Sequence, residues 1–185
     1  SVNGFWATIG PAMPHSAYSA AKFAVKGFSE ALITDLRLHA PHVKVSVVMP
    51  GHIGTSIVLN SGKVLGRGDA LNMPEAEVKQ IRERMMKVGG PNAELLMNLS
   101  DDQLREVLHQ RGVDFRDQAP TTAASAAGII IDGVLSGKWR ILVGDDAHNL
   151  DRRVRQDPEN AYEPEFLQAL QEGGDFGPEI IQSVQ

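Results

Sequence analysis

Two side chains suggest chemistry on type and spacing alone: Tyr18 and Lys22, in the run Ser16-Ala17-Tyr18-Ser19-Ala20-Ala21-Lys22-Phe23-Ala24. The run opens a helical pattern, and residues four apart on an α-helix share one face, with Cβ atoms about 5–6 Å apart. A phenol and an ammonium so placed form an acid–base pair. Free tyrosine titrates at about 10 and is mostly neutral in the physiological range. A neighbouring cation favours the phenolate and draws its titration toward the range where proton transfer is most efficient. The bland alternative is a tyrosine packed on a core beside a solvated lysine. A lone Tyr-x-x-x-Lys does not decide between them.

The elements that must hold this pair follow from periodicity and punctuation. Residues 1–17 are rich in Gly, Pro, Ala and Ser and read as loop, with Ser16 as a candidate helix cap. Residues 17–39 read as a helix with Ala20, Ala24, Phe28, Ala31 and Leu36 near one stripe. Its small residues, with Gly27, allow close packing on another helix, within the chain or in a second copy. Ala40-Pro41 stops it. Val43 to Met49 form a β-branched run that reads as a buried strand ending at Pro50-Gly51. Pro120-Thr121-Thr122 caps a further helix through Ile129, Ile130, Ile131, Val134 and Leu135, ended by Gly137, and Trp139 to Gly144 read as a second buried strand. Helix, short break and buried strand make the rhythm of a doubly wound α/β fold with a parallel sheet. Ligands in such folds bind beyond the carboxyl ends of strands, where Pro50 to Thr55 would sit. Two parallel strands are not expected to stand alone, so these require neighbours.

Four stretches resemble the short-chain dehydrogenase/reductase family, in family order. They are Ser1-Val2-Asn3-Gly4; the run from Tyr18 to Leu32; Pro50-Gly51-His52-Ile53-Gly54-Thr55; and Ser136 to Gly144. The resemblance covers roughly residues 1–57 and 119–155. It implies a partial NAD(P)-binding Rossmann fold and an oxidoreductase that transfers a hydride between an alcohol and a ketone, with NAD or NADP as cofactor. It implies that Tyr18 is the acid/base, that Lys22 supports it and holds the nicotinamide ribose, and that Ser1 orients the substrate oxygen. It further implies that Pro50, Gly51, Ile53 and Thr55 seat the nicotinamide. Ser1 lies 17 positions before Tyr18, about four more than the family's usual gap, which implies an insertion in the intervening loop. The family's Thr-Gly-x-x-x-Gly-x-Gly turn and Asn-Ala-Gly strand are not found, so the chain reads as the C-terminal part of a longer enzyme. By the same resemblance, that enzyme would be a homodimer or homotetramer.

The remaining sequence is more individual. Residues 1–155 read as part of one Rossmann-type domain, with 56–119 as an inserted substrate lid and 156–185 as an acidic tail. Ser61 to Gly68 superficially match a phosphate-cradling turn, but Asp69 puts a negative charge where the anion would lie and Pro74 interrupts the helix such a turn must open, so the run reads as loop. A charged helix runs from Pro74 to Val88, up to Gly89-Gly90-Pro91, and Ser100 and Gln103 form a capping box for the next. Met73, Met85, Met86 and Met97 could line an adaptable apolar pocket or simply fill a core. Residues 145–185 read as a surface helix and a loose tail, with Arg152, Arg153 and Arg155 as a solvated face.

Composition narrows the classes. The chain has 185 residues, 42% of them hydrophobic, enough for an ordinary core. It lacks cysteine, which excludes disulfides and thiolate catalysis and is compatible with a cytoplasmic setting. A net charge of −5 with no basic cluster argues against nucleic acid as a partner. No apolar run reaches the length of a membrane span, and the six histidines show no spacing that suggests a metal. The expected partner is a small, moderately apolar alcohol or ketone. Two other readings stand beside this one: a non-catalytic fragment with a structural or regulatory role, and a sugar-nucleotide epimerase or dehydratase built on the same helix.

Overall fold

The computed structural model describes residues 1–8, 15–66, 68–88 and 96–172. The first described element is a 3-10 turn at Val2–Gly4, followed by α1 (Ser16–His39), β1 (Val47–Pro50), β2 (Ile53–Gly54) and α2 (Ile57–Val64). A second 3-10 turn at Ala70–Asn72 leads to α3 (Glu75–Val88) and α4 (Asp101–Asp117). The chain then runs through β3 (Thr121–Thr122), α5 (Ala123–Leu135), β4 (Arg140–Val143), α6 (Asp145–Gln156) and α7 (Pro164–Glu172). Two compact units result: residues 1–53 with the described residues from 120 onward, and residues 54–119. Among the described residues, no helix is long and apolar enough to cross a membrane.

The first unit is built on β1 and β4, which pair in parallel with Val47 opposite Arg140, Val48 opposite Ile141 and Met49 opposite Leu142. Side chains alternate faces along a strand. Val47, Met49 and Leu142 therefore pack with Val2, Trp6, Ala147, Leu150, Ala161 and Leu170 on one face. Val48, Ile141 and Val143 pack with Ala126 and Ile130 of α5 on the other. Both faces are covered, as a parallel pair of apolar strands requires. Gly133 lets α5 lie close, because a Cβ there would come within 2.6 Å of the Ile141 side chain. This is the α/β arrangement of a partial Rossmann fold.

Several local expectations need correction. Ser16 is the first residue of α1, whose cap position is His15, with no side-chain capping bond. The strand begins at Val47 rather than Val43, and Val43 is exposed. Residues 43–46 have β-branched character, but only the segment facing β4 finds a ladder partner. Along α1, Ala20, Ala24 and Ala31 are exposed and Phe28 is 69% exposed; Ser19 is the buried residue. The region after β4 is not a surface helix with a loose tail: Ala147 and Leu150 of α6, Ala161, and Leu170 of α7 lie in the main core. Trp6, 1% exposed, donates its indole N–H to the Ala161 carbonyl at 2.8 Å and packs beside Phe166.

The second unit has its own core, with Val78, Leu96 and Leu104 at the centre and Met73, Ile81, Met85, Val107 and Leu108 around them. Ser100 and Gln103 form the reciprocal capping box of α4. The Arg82 guanidinium donates to the carbonyls of Leu96, Met97 and Leu99 and to the Asp101 carboxylate, pinning this segment to α3. Ser61 to Val64 belong to α2 rather than to a loop. Gly62 permits this, since a Cβ there would come within 2.6 Å of the Gly68 carbonyl. The Asp69 side chain accepts from Leu71 N–H at 3.1 Å and starts the second 3-10 turn. Of the four methionines, Met73 lines a pocket of about 190 Å³, Met85 packs in the core and Met86 is exposed. The break expected at Gly89 to Pro91 and the end of the acidic tail lie outside the described residues.

In the first unit, Arg140 of β4 and Arg155 of α6 both bond the Asp151 carboxylate, with Arg155 Nε at 2.9 Å, while Arg140 stacks over Phe5 at 5.9 Å. Arg155 makes this bond from the expected solvated face, its side chain 62% exposed. Burial acts to raise the Asp151 pKa, but the hydrogen bonds and charges of Arg140 and Arg155 outweigh it, so the carboxyl titrates below its usual value. A depressed folded-state pKa contributes stability above the unfolded value of about 3.9 and loses it as pH falls through the folded value. Asp151→Asn should therefore destabilise the protein by about 1.5–3 kcal/mol near neutrality, the scale of hydrogen bonds to a charged group. Urea midpoints of variant and wild type should converge as pH falls below about 4. An equal gap at every pH would remove the carboxylate charge as its source.

Candidate active site

The site starts from a turn pressed against a helix. Ser1 caps the Val2–Gly4 turn, its Oγ accepting from Asn3 N–H at 3.2 Å. Gly4 brings that turn onto α1: a Cβ at Gly4 would lie 3.3 Å from the Lys22 carbonyl oxygen and 3.4 Å from Lys26 Cβ. The Ser-x-x-Gly spacing thus has a geometric reason. The glycine touches the backbone of Lys22, and the serine three residues earlier reaches Tyr18. Tyr18 O–H donates to Ser1 Oγ at 3.4 Å, a long hydrogen bond.

Tyr18 and Lys22 share one side of α1, as their spacing requires. Lys22 Nζ lies 5.1 Å from the centroid of the Tyr18 ring, within cation–π range. The Tyr18 side is open, the residue being 44% exposed, and His15 meets the ring edge-on. The Ser1 backbone nitrogen donates to the Val48 carbonyl at 3.4 Å. Phenol, hydroxyl and ammonium together can pass a proton to an oxygen and stabilise charge forming there.

The Pro50 turn is built at the carboxyl end of β1. Gly51 N–H continues the ladder to the Val143 carbonyl at 3.0 Å, and His52 N–H donates to Asp146 Oδ2 at 2.6 Å. Asp146, in the first turn of α6, fills the space beside two glycines: a Cβ at Gly51 or at Gly144 would overlap its carboxylate. Gly144 has φ of +97°, which a side chain would strain. Ile53 begins β2, which pairs with β3.

Ser1, Tyr18 and Lys22 are thus brought together, and Pro50, Gly51 and Ile53 lie in the same unit at a strand end. Thr55 belongs to the second unit. Two polar residues of this region were not anticipated, the half-buried Asp146 and the buried Asn3. Asp146 had a legible signal, an acidic pair directly after a strand-ending glycine, where helix N-termini favour carboxylates. Asn3 is 2% exposed and its Oδ1 accepts from Ser1 Oγ at 3.3 Å. Its signal was Ser1-x-Asn3, a pattern of local side-chain to backbone bonding.

Residues 6–64 match the family described as short chain dehydrogenase. Over this segment the chain is similar to the short-chain dehydrogenase family. Tyr18, Lys22 and the Pro50 to Thr55 turn fall within the short-chain dehydrogenase segment, and Ser1 precedes it. Two relatives from Mycobacterium tuberculosis, strains CDC 1551 / Oshkosh and ATCC 25618 / H37Rv, each carry the name "Putative oxidoreductase SadH". Each is 39% identical over 77 residues, covering 36% of this chain and 28% of the relative. The match therefore spans little more than a quarter of these relatives' length. No solved structure matches the chain.

If Asp146 holds the Pro50 turn, Asp146→Ala should speed hydrogen exchange at the His52 amide by about tenfold or more, the loss of one charge-assisted bond. An unchanged rate would show that the turn is held by something else.

Proposed function

We propose that the protein is an oxidoreductase that uses NAD or NADP to interconvert an alcohol and a ketone. One observation carries the reading. In the segment that matches the short-chain dehydrogenases, the Tyr18 hydroxyl meets Ser1 Oγ at 3.4 Å, with the Lys22 ammonium 5.1 Å from the Tyr18 ring.

The donor set suits the nicotinamide ribose end of such a cofactor. A phenol and an ammonium stand on one accessible side of α1, and the turn from Pro50 to Ile53 follows the carboxyl end of a parallel strand. Tyr18 and Lys22 would hold the ribose, and Pro50, Gly51, Ile53 and Thr55 the carboxamide. When bound, the cofactor supplies or accepts a hydride at the carbon that carries the oxygen.

The chain's own residues then handle the proton. In the reducing direction Tyr18 gives its hydroxyl proton to the carbonyl oxygen as the C=O π pair becomes a lone pair on that oxygen. Lys22 stabilises the phenolate left behind. Ser1 donates a hydrogen bond to the oxygen and stabilises its growing charge. In the oxidising direction the tyrosinate takes the alcohol proton back.

The substrate is a small, moderately apolar alcohol or ketone. The second unit, with Met73 at its pocket, is the candidate for recognising it. The exposed stripe of α1 is the candidate surface for assembly as a homodimer or homotetramer.

Tyr18→Phe tests the assignment, because it removes one hydroxyl and little else. It should lower kcat by about 10²–10⁴-fold, the scale of positioned acid–base catalysis. The KM for the nicotinamide cofactor should change little. Turnover at the wild-type rate would exclude Tyr18 as the acid/base.

A further inference from the structure

We propose that Asn3 sets the direction of the Ser1 hydroxyl proton and so decides whether Ser1 can donate to a substrate oxygen. The proposal rests on the reading of Ser1 and Tyr18 given above.

Asn3 is buried, 2% exposed, and surrounds Ser1 Oγ with two groups. Its backbone N–H donates to Oγ at 3.2 Å and its Oδ1 accepts from Oγ at 3.3 Å. Tyr18 O–H also donates to Oγ, at 3.4 Å. A hydroxyl has one proton and two lone pairs. Ser1 is therefore fully occupied: both lone pairs are filled, and its only proton is given to Asn3. In this state it offers nothing to a carbonyl oxygen. Asn3 Nδ2, meanwhile, is buried with no partner. A buried amide donor without an acceptor is uncommon and asks for a reason.

Turning the Asn3 amide by 180° about its last side-chain bond supplies one. That torsion is broad and roughly two-fold, and the turn exchanges Oδ1 and Nδ2 without moving the backbone. Nδ2 then donates to Ser1 Oγ. Both lone pairs of Oγ are filled by Asn3, so Tyr18 O–H loses its acceptor and the Ser1 proton is no longer taken by Asn3. Two O–H groups become available to one substrate oxygen. Each orientation leaves one amide atom of Asn3 buried and unpartnered, so Asn3 itself prefers neither strongly and an arriving oxygen can decide. Asn3 is thus a positioning residue that acts through Ser1.

Asn3→Asp separates the two orientations, because an ionised carboxylate only accepts. It should hold the Ser1 proton permanently and lower kcat by about 10²-fold near neutrality, the scale for loss of one donor to a developing oxyanion. Cofactor KM should not change. As pH falls and the new carboxyl protonates, it can donate, and the ratio of variant to wild-type kcat should recover. Among the described residues, Tyr18, Lys22 and Lys26 of α1 are the titratable groups facing this turn, and β1 contributes none. Using the ratio to wild type at each pH removes their own titration. Asn3→Ala adds no charge and should cost less, with no acid recovery, which serves where the aspartate variant does not fold.

In a Ser1→Ala background, Asn3→Asp should cost nothing further. A loss of equal size there, a ratio flat with pH, or an Asn3→Asp enzyme with wild-type kcat would each overturn the proposal. Failure of the broader reading would look different: Ser1→Ala and Tyr18→Phe would themselves leave turnover intact.

Discussion

The contact between Gly4 and α1 is the constraint on which the candidate site depends. Backbone meets backbone there, with the Lys22 carbonyl 3.3 Å from where a glycine side chain would begin. Because Gly4 has no Cβ, the Val2–Gly4 turn can lie on the helix, and Ser1 then lands beside Tyr18. Because α1 is regular through this region, Lys22 falls one turn beyond Tyr18 and above its ring. Three functional groups are thus set by one close approach and one helical repeat.

The parallel pair of β1 and β4 gives this arrangement something to rest on. Val2 and Trp6 pack on the face presented by Val47, Met49 and Leu142, which fixes the turn from below. The same strands end at Pro50 and Val143, where backbone leaves the sheet. Asp146 ties the two exits together, filling the room left by Gly51 and Gly144 and accepting from His52 N–H. The Ser1 turn and the strand-end turn are therefore two ends of one packed unit.

Much of this was legible in the sequence, and the exceptions have physical causes. Tyr18 and Lys22 could be placed on one helix because their spacing is set by the helical repeat. The capping box at Ser100 and Gln103 was legible because it is local. The burial of α1 was not: its stripe of Ala20, Ala24 and Phe28 is exposed, while the contact side carries Ser19, Lys22 and Lys26, whose stems and backbone do the packing. Asp69 and Pro74 argued for a loop from Ser61 to Gly68, yet Ser61 to Val64 are helical, and the missing side chain of Gly62 makes room for the Gly68 carbonyl. In α6, three apolar residues, Ala147, Leu150 and Val154, pack on the core of a helix otherwise highly charged. Their recurrence after three and then four residues was the available signal. Asn3 and Asp146 escaped notice because a polar residue announces its role only through its partners.

The central claim is that this constellation moves a proton to an oxygen while a hydride reaches the adjoining carbon. Supplying the protein with NADH or NADPH deuterated at nicotinamide C4, together with a panel of apolar ketones, tests that claim most directly. The account predicts deuterium on the carbinol carbon of the alcohol product, and about 10²–10⁴-fold slower formation of that same deuterated product when Tyr18→Phe replaces the wild type. Alcohol formed without deuterium from either face of the nicotinamide, or no alcohol from any ketone with either cofactor, would contradict it.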